Sequence, residues 1–189
     1  MLVAVDIGNV CIQLHVEESN RAFGYNAELP VAFTTITEQY ESGIIDTPEF
    51  LKKVSIVTGM TETGAKQAWD QKLGVEMPGM AEAIREFTAK GVEFVFLSDI
   101  AELHLTKFRR TVSFVNLFKG GIFSFEAGAC KPDPRMFQTF EETYGKPAIF
   151  FDDMERNING ATEFGWKAIR FTGADMFRET MSQLLTRQL

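Results

Sequence analysis

Short apolar runs separated by segments of helical period constrain the fold of this 189-residue chain more than any other feature. The runs cover residues 2–7, 92–97, 148–151 and 167–171, with a weaker one at 121–125. Continuous apolar runs of this length suit strands that are buried on both faces. Alternation of such strands with helices indicates a parallel sheet covered on both sides. We therefore predict an α/β fold with a doubly wound, Rossmann-like parallel sheet.

The interval between the first run and the second contains helical signals and no convincing strand. Candidate helices cover residues 16–23, 30–41, 48–57 and 62–72, and Thr47 followed by Pro48 is a good helix start. We predict an α/β core made of residues 1–14 and 79–189 and an all-helical cap made of residues 15–78. The two connections, near 9–15 and 72–79, are expected to act as hinges.

Composition excludes several classes of function. The net charge is −7, so a nucleic-acid partner is not expected. The apolar runs are much shorter than the roughly 20 residues that a membrane-spanning helix needs. No signal peptide is recognisable, and the two cysteines cannot form a disulfide framework, so we expect a cytoplasmic monomer or homodimer without a membrane partner.

Polar residues follow three of the predicted strands. Asp6 closes the first strand, Ser98 and Asp99 follow the second, and Asp152 and Asp153 follow the third, while Lys131 precedes a predicted helix. Ligands of open parallel sheets bind beyond the carboxyl ends of the strands, so these side chains are expected to converge. Clustered carboxylates need a cation or a proton, and oxygen ligands favour Mg²⁺, which also binds phosphate.

The same residues carry a resemblance to a known family. Four ordered motifs resemble those of the haloacid dehalogenase superfamily: Val5-Asp6-Ile7-Gly8-Asn9-Val10, Phe96-Leu97-Ser98, Lys131-Pro132-Asp133-Pro134, and Phe150-Phe151-Asp152-Asp153 with Asn157 and Gly160-Ala161. The resemblance covers nearly the whole chain, including the place of the helical cap. The form of the first motif, together with His104 six residues after Ser98, is most similar to the bacterial α-D-glucose-1-phosphate phosphatase group.

The resemblance implies a role for each matching residue. Asp6 matches the nucleophile that forms an aspartyl phosphate, and Ser98 and Lys131 match the pair that binds phosphate. Asp6, the carbonyl of Gly8 and Asp153 match the Mg²⁺ ligands. Asp152 matches a carboxylate that supports the metal or Lys131, and we include it in the metal set; Asp99 joins Ser98 and Lys131 as a candidate substrate-binding residue. The chain is thus expected to be a phosphoric monoester hydrolase, a phosphatase acting on a small phosphorylated metabolite such as a sugar 1-phosphate.

Position 8 departs from the phosphatase pattern. The usual motif has a second Asp there, which protonates the leaving group, whereas a glycine has no side chain to carry a proton. Such a group is typically worth about 10²–10⁴-fold in rate. The chain is then slow, recruits another group such as His15, or prefers a leaving group that needs little protonation, as an anomeric phosphate does.

Gly8 also keeps two other functions open. A metal-free 2-haloacid dehalogenase needs no such acid, but its family pattern lacks the paired carboxylates found here at 152–153. A catalytically weak binding or regulatory domain is the other alternative. In the cap, Trp69, Tyr40 and Phe33 are candidates for substrate recognition by location only.

Overall fold

A five-stranded, wholly parallel sheet forms the centre of the molecule in the computed structural model, which describes residues 1–26 and 28–186. The strands are β1 (Leu2–Val5), β4 (Glu93–Ser98), β5 (Phe118–Phe123), β6 (Ile149–Asp152) and β7 (Ala168–Arg170). Their order is β5-β4-β1-β6-β7, and each neighbouring pair is parallel. The chain reverses its direction of winding at β1, between β4 and β6. The predicted doubly wound α/β fold is confirmed.

Helices cover both faces of this sheet. They are α5 (Met80–Ala89), α6 (Glu102–Thr111), α7 (Ser124–Ala127), α8 (Pro134–Tyr144), α9 (Glu155–Glu163) and α10 (Ala174–Thr186). Successive strand residues point to opposite faces, so Val3 and Val5 join one apolar core while Ala4 joins another. Aromatic side chains fill both cores, with Phe87 and Phe177 in the first and Phe137 in the second.

The region that the sequence predicts as the cap contains four helices: α1 (Val16–Ala22), α2 (Val31–Glu41), α3 (Thr47–Thr58) and α4 (Glu62–Asp70). Their own apolar core contains Phe33, Tyr40, Phe50 and Trp69, and the rings of Tyr40 and Phe50 stack with centroids 4.1 Å apart. Asp46 caps the start of α3, because its side chain accepts a hydrogen bond from the backbone N–H of Glu49.

The two connections between core and cap pair with each other. Strand β2 (Ile12–Leu14) and strand β3 (Leu73–Glu76) form a two-stranded antiparallel ribbon. The expectation that residues 15–78 contain no strand is therefore wrong at β3. The two strands have only three and four residues, too few for an alternating pattern to stand out in the sequence.

One smaller expectation is also corrected. The weak run at 121–125 extends back to Phe118 and ends at Phe123, because a short helix begins at Ser124. Asp99 lies in the loop before α6, whose N-cap is Ala101. Among the residues that the structure describes, no helix is long and apolar enough to cross a membrane.

Candidate active site

The neighbouring strands β4, β1 and β6 bring the predicted site residues to one edge of the sheet. Asp6 directly follows β1, and its backbone N–H donates to the carbonyl of Phe151. Ser98 ends β4, and Asp152 ends β6. Because parallel strands all end at the same edge, three segments far apart in sequence meet here. The convergence predicted from the strand ends is present.

Lys131 links these segments through its side chain. Its Nζ lies 2.8 Å from Oδ1 of Asp6 and 2.6 Å from Oδ2 of Asp152, and it donates to the carbonyl of Leu97 at 2.9 Å. Lys131 is 3% exposed, so these contacts replace its water. Its backbone N–H donates to Oδ1 of Asp99 at 2.8 Å. The ammonium group is therefore held at one position by three oxygen atoms.

Asp152 is fully buried and both of its carboxylate oxygens are engaged by the protein. Oδ1 accepts from the backbone N–H of Met154 at 2.8 Å, and both oxygens accept from Nδ2 of Asn157 at 3.0 Å. Together with Lys131, these donors favour a supporting role for Asp152 over direct metal binding. Asn157 belongs to the fourth motif, so the sequence already pointed to it.

Asn9 orients Asp153, which is only partly buried. Its Nδ2 donates to Oδ2 of Asp153 at 2.9 Å, and its Oδ1 accepts from the backbone N–H of Leu14 at 3.0 Å. Asn9 has a φ of 51°, a left-handed conformation that asparagine tolerates better than most residues. Asn9 belongs to the first motif, but the sequence indicated no role for it. The structure shows that the Asn9 side chain links Asp153 to Leu14 in the ribbon.

Burial dominates the electrostatics of the site. It raises the pKa of Asp6 to about 7; the ammonium of Lys131 works in the opposite direction and the carboxylate of Asp152 adds to the rise. Burial also raises the pKa of Asp153, against the hydrogen bond from Asn9. For Lys131, burial disfavours the ammonium, but Asp6 and Asp152 outweigh it and raise the pKa. The site thus holds more negative charge than its one ammonium neutralises.

The carboxylates fit a divalent cation. Asp6 and Asp153 each offer an oxygen, and one oxygen of Asp152, which supports Lys131, completes a group whose atoms lie within 4.8 Å of one another. Three carboxylates against the single ammonium of Lys131 leave a charge that a dication would balance. Carboxylate and carbonyl oxygens are the ligands that Mg²⁺ prefers. The donor set therefore agrees with the predicted metal site.

A small cavity adjoins this cluster. It has a volume of about 40 Å³ and is lined by Gly8, Ser98, Asp99 and, from the cap side, Glu41 and Lys72. Sequence reasoning missed Glu41 and Lys72, because they lie 31 residues apart at the ends of two helical segments that no motif covers.

The cap residues nominated by location have packing roles. Tyr40, Phe33 and Trp69 are nearly fully buried in the cap core. His104 also has a structural environment, because its ring stacks on Trp69 at 4.4 Å and its Nε2 lies 2.9 Å from the Trp69 carbonyl. The imidazole of His15 lies against Gly74 in the ribbon.

Comparison with solved structures identifies the class of fold. A HAD family enzyme from Bacteroides thetaiotaomicron matches with a TM-score of 0.81 and 21% sequence identity, over 93% of this chain and 97% of that chain. The same enzyme in complex with magnesium and inorganic phosphate matches with a TM-score of 0.77 and 21% identity, over 91% and 94% of the two chains. This chain therefore has the fold of HAD family enzymes.

Two further proteins share the fold. A HAD-like family hydrolase from Porphyromonas gingivalis has a TM-score of 0.78 and 20% identity, over 97% of both chains. The L-2-haloacid dehalogenase from Xanthobacter autotrophicus, with chloropropionic acid covalently bound, has a TM-score of 0.64 and 16% identity, over 96% of this chain and 82% of that one. No protein-family model and no curated protein matches the sequence.

Proposed function

We propose that this chain is a Mg²⁺-dependent phosphatase of the haloacid dehalogenase superfamily, which hydrolyses a small phosphorylated metabolite through an aspartyl phosphate on Asp6. The observation that carries the proposal is the contact of Lys131 with both Asp6 and Asp152, next to Asp153, at one edge of the sheet. The magnesium and phosphate complex of the Bacteroides thetaiotaomicron enzyme supports it. We propose a sugar 1-phosphate as the substrate, because the form of the first motif resembles that of the α-D-glucose-1-phosphate phosphatase group.

Each residue at the sheet edge has a task in this reaction. The carboxylate of Asp6 attacks phosphorus, and the bond between phosphorus and the leaving oxygen breaks. Lys131 neutralises negative charge on the phosphoryl oxygens, and Ser98 donates a hydrogen bond to one of them. Water then attacks the phosphorus of the aspartyl phosphate and releases the Asp6 carboxylate and inorganic phosphate.

Asp6, the carbonyl of Gly8 and Asp153 would hold the Mg²⁺ ion. When bound, the ion supplies positive charge that screens the carboxylates from the dianionic substrate. Asp152 keeps Lys131 in place, and Asn9 keeps Asp153 in place. The cap would exclude bulk water and shape the space for the leaving group.

A metal-free 2-haloacid dehalogenase remains the second candidate, because position 8 is a glycine and one structural neighbour is such an enzyme. The arrangement around Asp153 favours the phosphatase. A dehalogenase that works on carbon needs no second half-exposed carboxylate beside its nucleophile, whereas Asp153 is oriented here by a dedicated hydrogen bond from Asn9.

One screen separates the candidate functions. Phosphorylated and halogenated small metabolites are incubated with the wild type and with Asp6→Asn, in Mg²⁺ and in EDTA. The proposal predicts Mg²⁺-dependent phosphate release that Asp6→Asn abolishes. Halide release in EDTA would establish the dehalogenase, and ligand binding without turnover of any compound would establish the binding domain.

A further inference from the structure

Position 8 leaves the leaving-group oxygen without its usual proton donor. A side chain at position 8 would meet Leu14, because a Cβ built on Gly8 would lie 2.8 Å from Cδ1 of Leu14. Hydrocarbon therefore occupies the direction in which an acid at this position would project. The proton for an alkoxide leaving group has to come from elsewhere on the cavity wall.

Two cavities meet at a single pair of charged side chains. The cavity of about 40 Å³ at the sheet edge is lined by Gly8 and Ser98, and a cavity of about 100 Å³ in the cap is lined by Phe33 and Trp69. Glu41 and Lys72 line both. A leaving group that extends from phosphorus at Asp6 through the inner cavity toward the cap passes Glu41 and Lys72, because these two side chains line both cavities.

The pair is held in a fixed position between the cap and the core. Nζ of Lys72 lies 2.8 Å from Oε1 of Glu41, and each side chain is 25% exposed. The carbonyl of Glu41 accepts a hydrogen bond from the hydroxyl of Ser124, which in turn accepts from the backbone N–H of Ile100 at 2.9 Å. Ile100 is two residues after Ser98. The backbone of Glu41 is thus tied to the loop that follows the phosphate-binding strand.

We propose that Lys72 is the proton carrier of the reaction and that Glu41 is its positioning residue. This inference rests on the proposed function. In the first step the oxygen of Asp6 bonds to phosphorus, the electron pair of the breaking bond goes to the leaving oxygen, and that oxygen takes a proton from the Lys72 ammonium. In the second step the attacking water gives a proton to the Lys72 amine, the Asp6 carboxylate departs, and the ammonium is restored.

The chemistry of the pair suits both steps. An ammonium carries its proton in neutral water, so it can donate in the first step, and the amine that results is a stronger base toward water than a carboxylate. Glu41 keeps the Lys72 nitrogen at the boundary of the two cavities through their contact of 2.8 Å. Proton transfer by a positioned side chain is worth about 10²–10⁴-fold, the amount that the missing acid would have supplied.

The other titratable groups on the inner wall are less suited. His104 uses Nε2 to contact the Trp69 carbonyl, and burial lowers its pKa to about 3, so it has no proton to give at neutral pH. Asp99 accepts from the backbone N–H of Lys131 and lines only the inner cavity. Asp99 and His15 are nevertheless included in the test.

The test compares substrates whose leaving groups differ in their need for a proton. Acetyl phosphate expels acetate, which departs without a proton, whereas glucose 1-phosphate expels a sugar hydroxyl. First-turnover and steady-state rates are measured in Mg²⁺ for the wild type, Lys72→Met, Lys72→Arg, Glu41→Gln, Asp99→Asn and His15→Gln. Lys66→Met is the matched control, because Lys66 forms an exposed ion pair with Asp70 on α4 and lines neither cavity.

The inference predicts a loss that depends on the leaving group. In Lys72→Met the first turnover of glucose 1-phosphate falls about 10²–10⁴-fold, while formation of phosphoenzyme from acetyl phosphate stays near the wild-type rate and its hydrolysis slows. Lys72→Arg behaves like Lys72→Met, because a guanidinium keeps the charge but does not release its proton. Glu41→Gln also loses more first-turnover rate with glucose 1-phosphate than with acetyl phosphate, but the loss is smaller than in Lys72→Met. Lys66→Met has the wild-type rates with both substrates. The acetyl phosphate turnover also shows that each variant is folded.

Several results would overturn the inference. Two of them concern Lys72: Lys72→Arg keeps its activity on glucose 1-phosphate, or Lys72→Met loses the same factor in first-turnover rate on both substrates. A third is that the wild-type protein turns over acetyl phosphate but not glucose 1-phosphate. The fourth is that Asp99→Asn or His15→Gln, instead of Lys72→Met, shows a loss that depends on the leaving group. Each of these leaves the proposed phosphatase function standing. If the wild type forms no phosphoenzyme from either substrate in Mg²⁺, the proposed function itself fails.

Discussion

Replacing Asp6 by Asn should stabilise the protein in the absence of divalent cations, because the charged carboxylate of Asp6 is costly to bury. The pKa of Asp6 rises from 3.8 to about 7 on folding, mainly through burial. A shift of about three units corresponds to roughly 4 kcal/mol between the neutral and the charged carboxyl group. Asparagine resembles the neutral form, so Asp6→Asn removes this cost at pH 8 and gains up to about 4 kcal/mol in free energy of unfolding.

The pH dependence follows from the sign of the shift. The pKa of Asp6 is higher in the folded than in the unfolded protein. The contribution of its carboxyl group to the free energy of unfolding is therefore fully present below pH 3.8 and is lost as the pH rises through about 7. Asp6→Asn and the wild type should therefore have similar stability near pH 4 and diverge up to pH 8. Addition of Mg²⁺ reduces the difference in free energy of unfolding between Asp6→Asn and the wild type, since an ion at a hundredfold excess over its Kd stabilises the wild type by about 2.7 kcal/mol.

Urea denaturation in EDTA at several pH values measures this difference. Asp133→Asn is the matched control. Asp133 is the N-cap of α8, and hydrogen bonds from Arg135 lower the pKa of the Asp133 carboxyl group. Asparagine caps helices as well as aspartate does. The control should show no gain at pH 8. If Asp6→Asn is less stable than the wild type in EDTA at pH 8, the Lys131 ion pair outweighs burial and the reasoning is refuted.

Three other substitutions test the surroundings of the site. Asn9→Ala removes the amide that donates a hydrogen bond to Asp153. The Kd for Mg²⁺, measured by calorimetry, should rise about tenfold or more, as it does when other residues that orient metal ligands are replaced. An unchanged Kd would show that Asp153 needs no such support. Lys131→Met leaves buried carboxylates unpaired and should lower the free energy of unfolding in EDTA at pH 8 by about 3–5 kcal/mol, and a loss below 1 kcal/mol would contradict it. Gly43→Ala should loosen the cap, because its φ is 72° and its Cβ would lie 2.0 Å from the Phe125 carbonyl oxygen; unchanged hydrogen exchange in the cap would argue against this contact.

The sheet and its functional edge were predictable because they depend on local patterns. Buried strands read as apolar runs, and the polar residue that ends each run lies at the ligand-binding edge once the strands are parallel. This logic places Asp6, Ser98 and Asp152 together without any knowledge of side-chain contacts. Lys131, which precedes a predicted helix, is expected at the same edge as well, but its contacts with Asp6 and Asp152 come only from the structure, because Lys131 lies in a loop whose position no periodicity determines.

The remaining features depend on contacts across long sequence separations. The ribbon joins β2 to β3 across the whole cap, and neither strand is long enough to show a pattern. Lys72 and Glu41 meet because the chain that leaves α4 passes beside the last residue of α2, which the spacing of two charged residues does not reveal. The role of Asn9 depends on a left-handed backbone at one residue, and only the structure shows this.

Trapping the covalent intermediate tests the central claim most directly. The wild type is mixed with acetyl phosphate in Mg²⁺, quenched in acid and analysed by peptide mass spectrometry, with EDTA and Asp6→Asn samples alongside. The account predicts one added phosphoryl group on Asp6, formed only when Mg²⁺ is present. A phosphoryl group on any other residue, or turnover of substrate by Asp6→Asn at the wild-type rate, would contradict it.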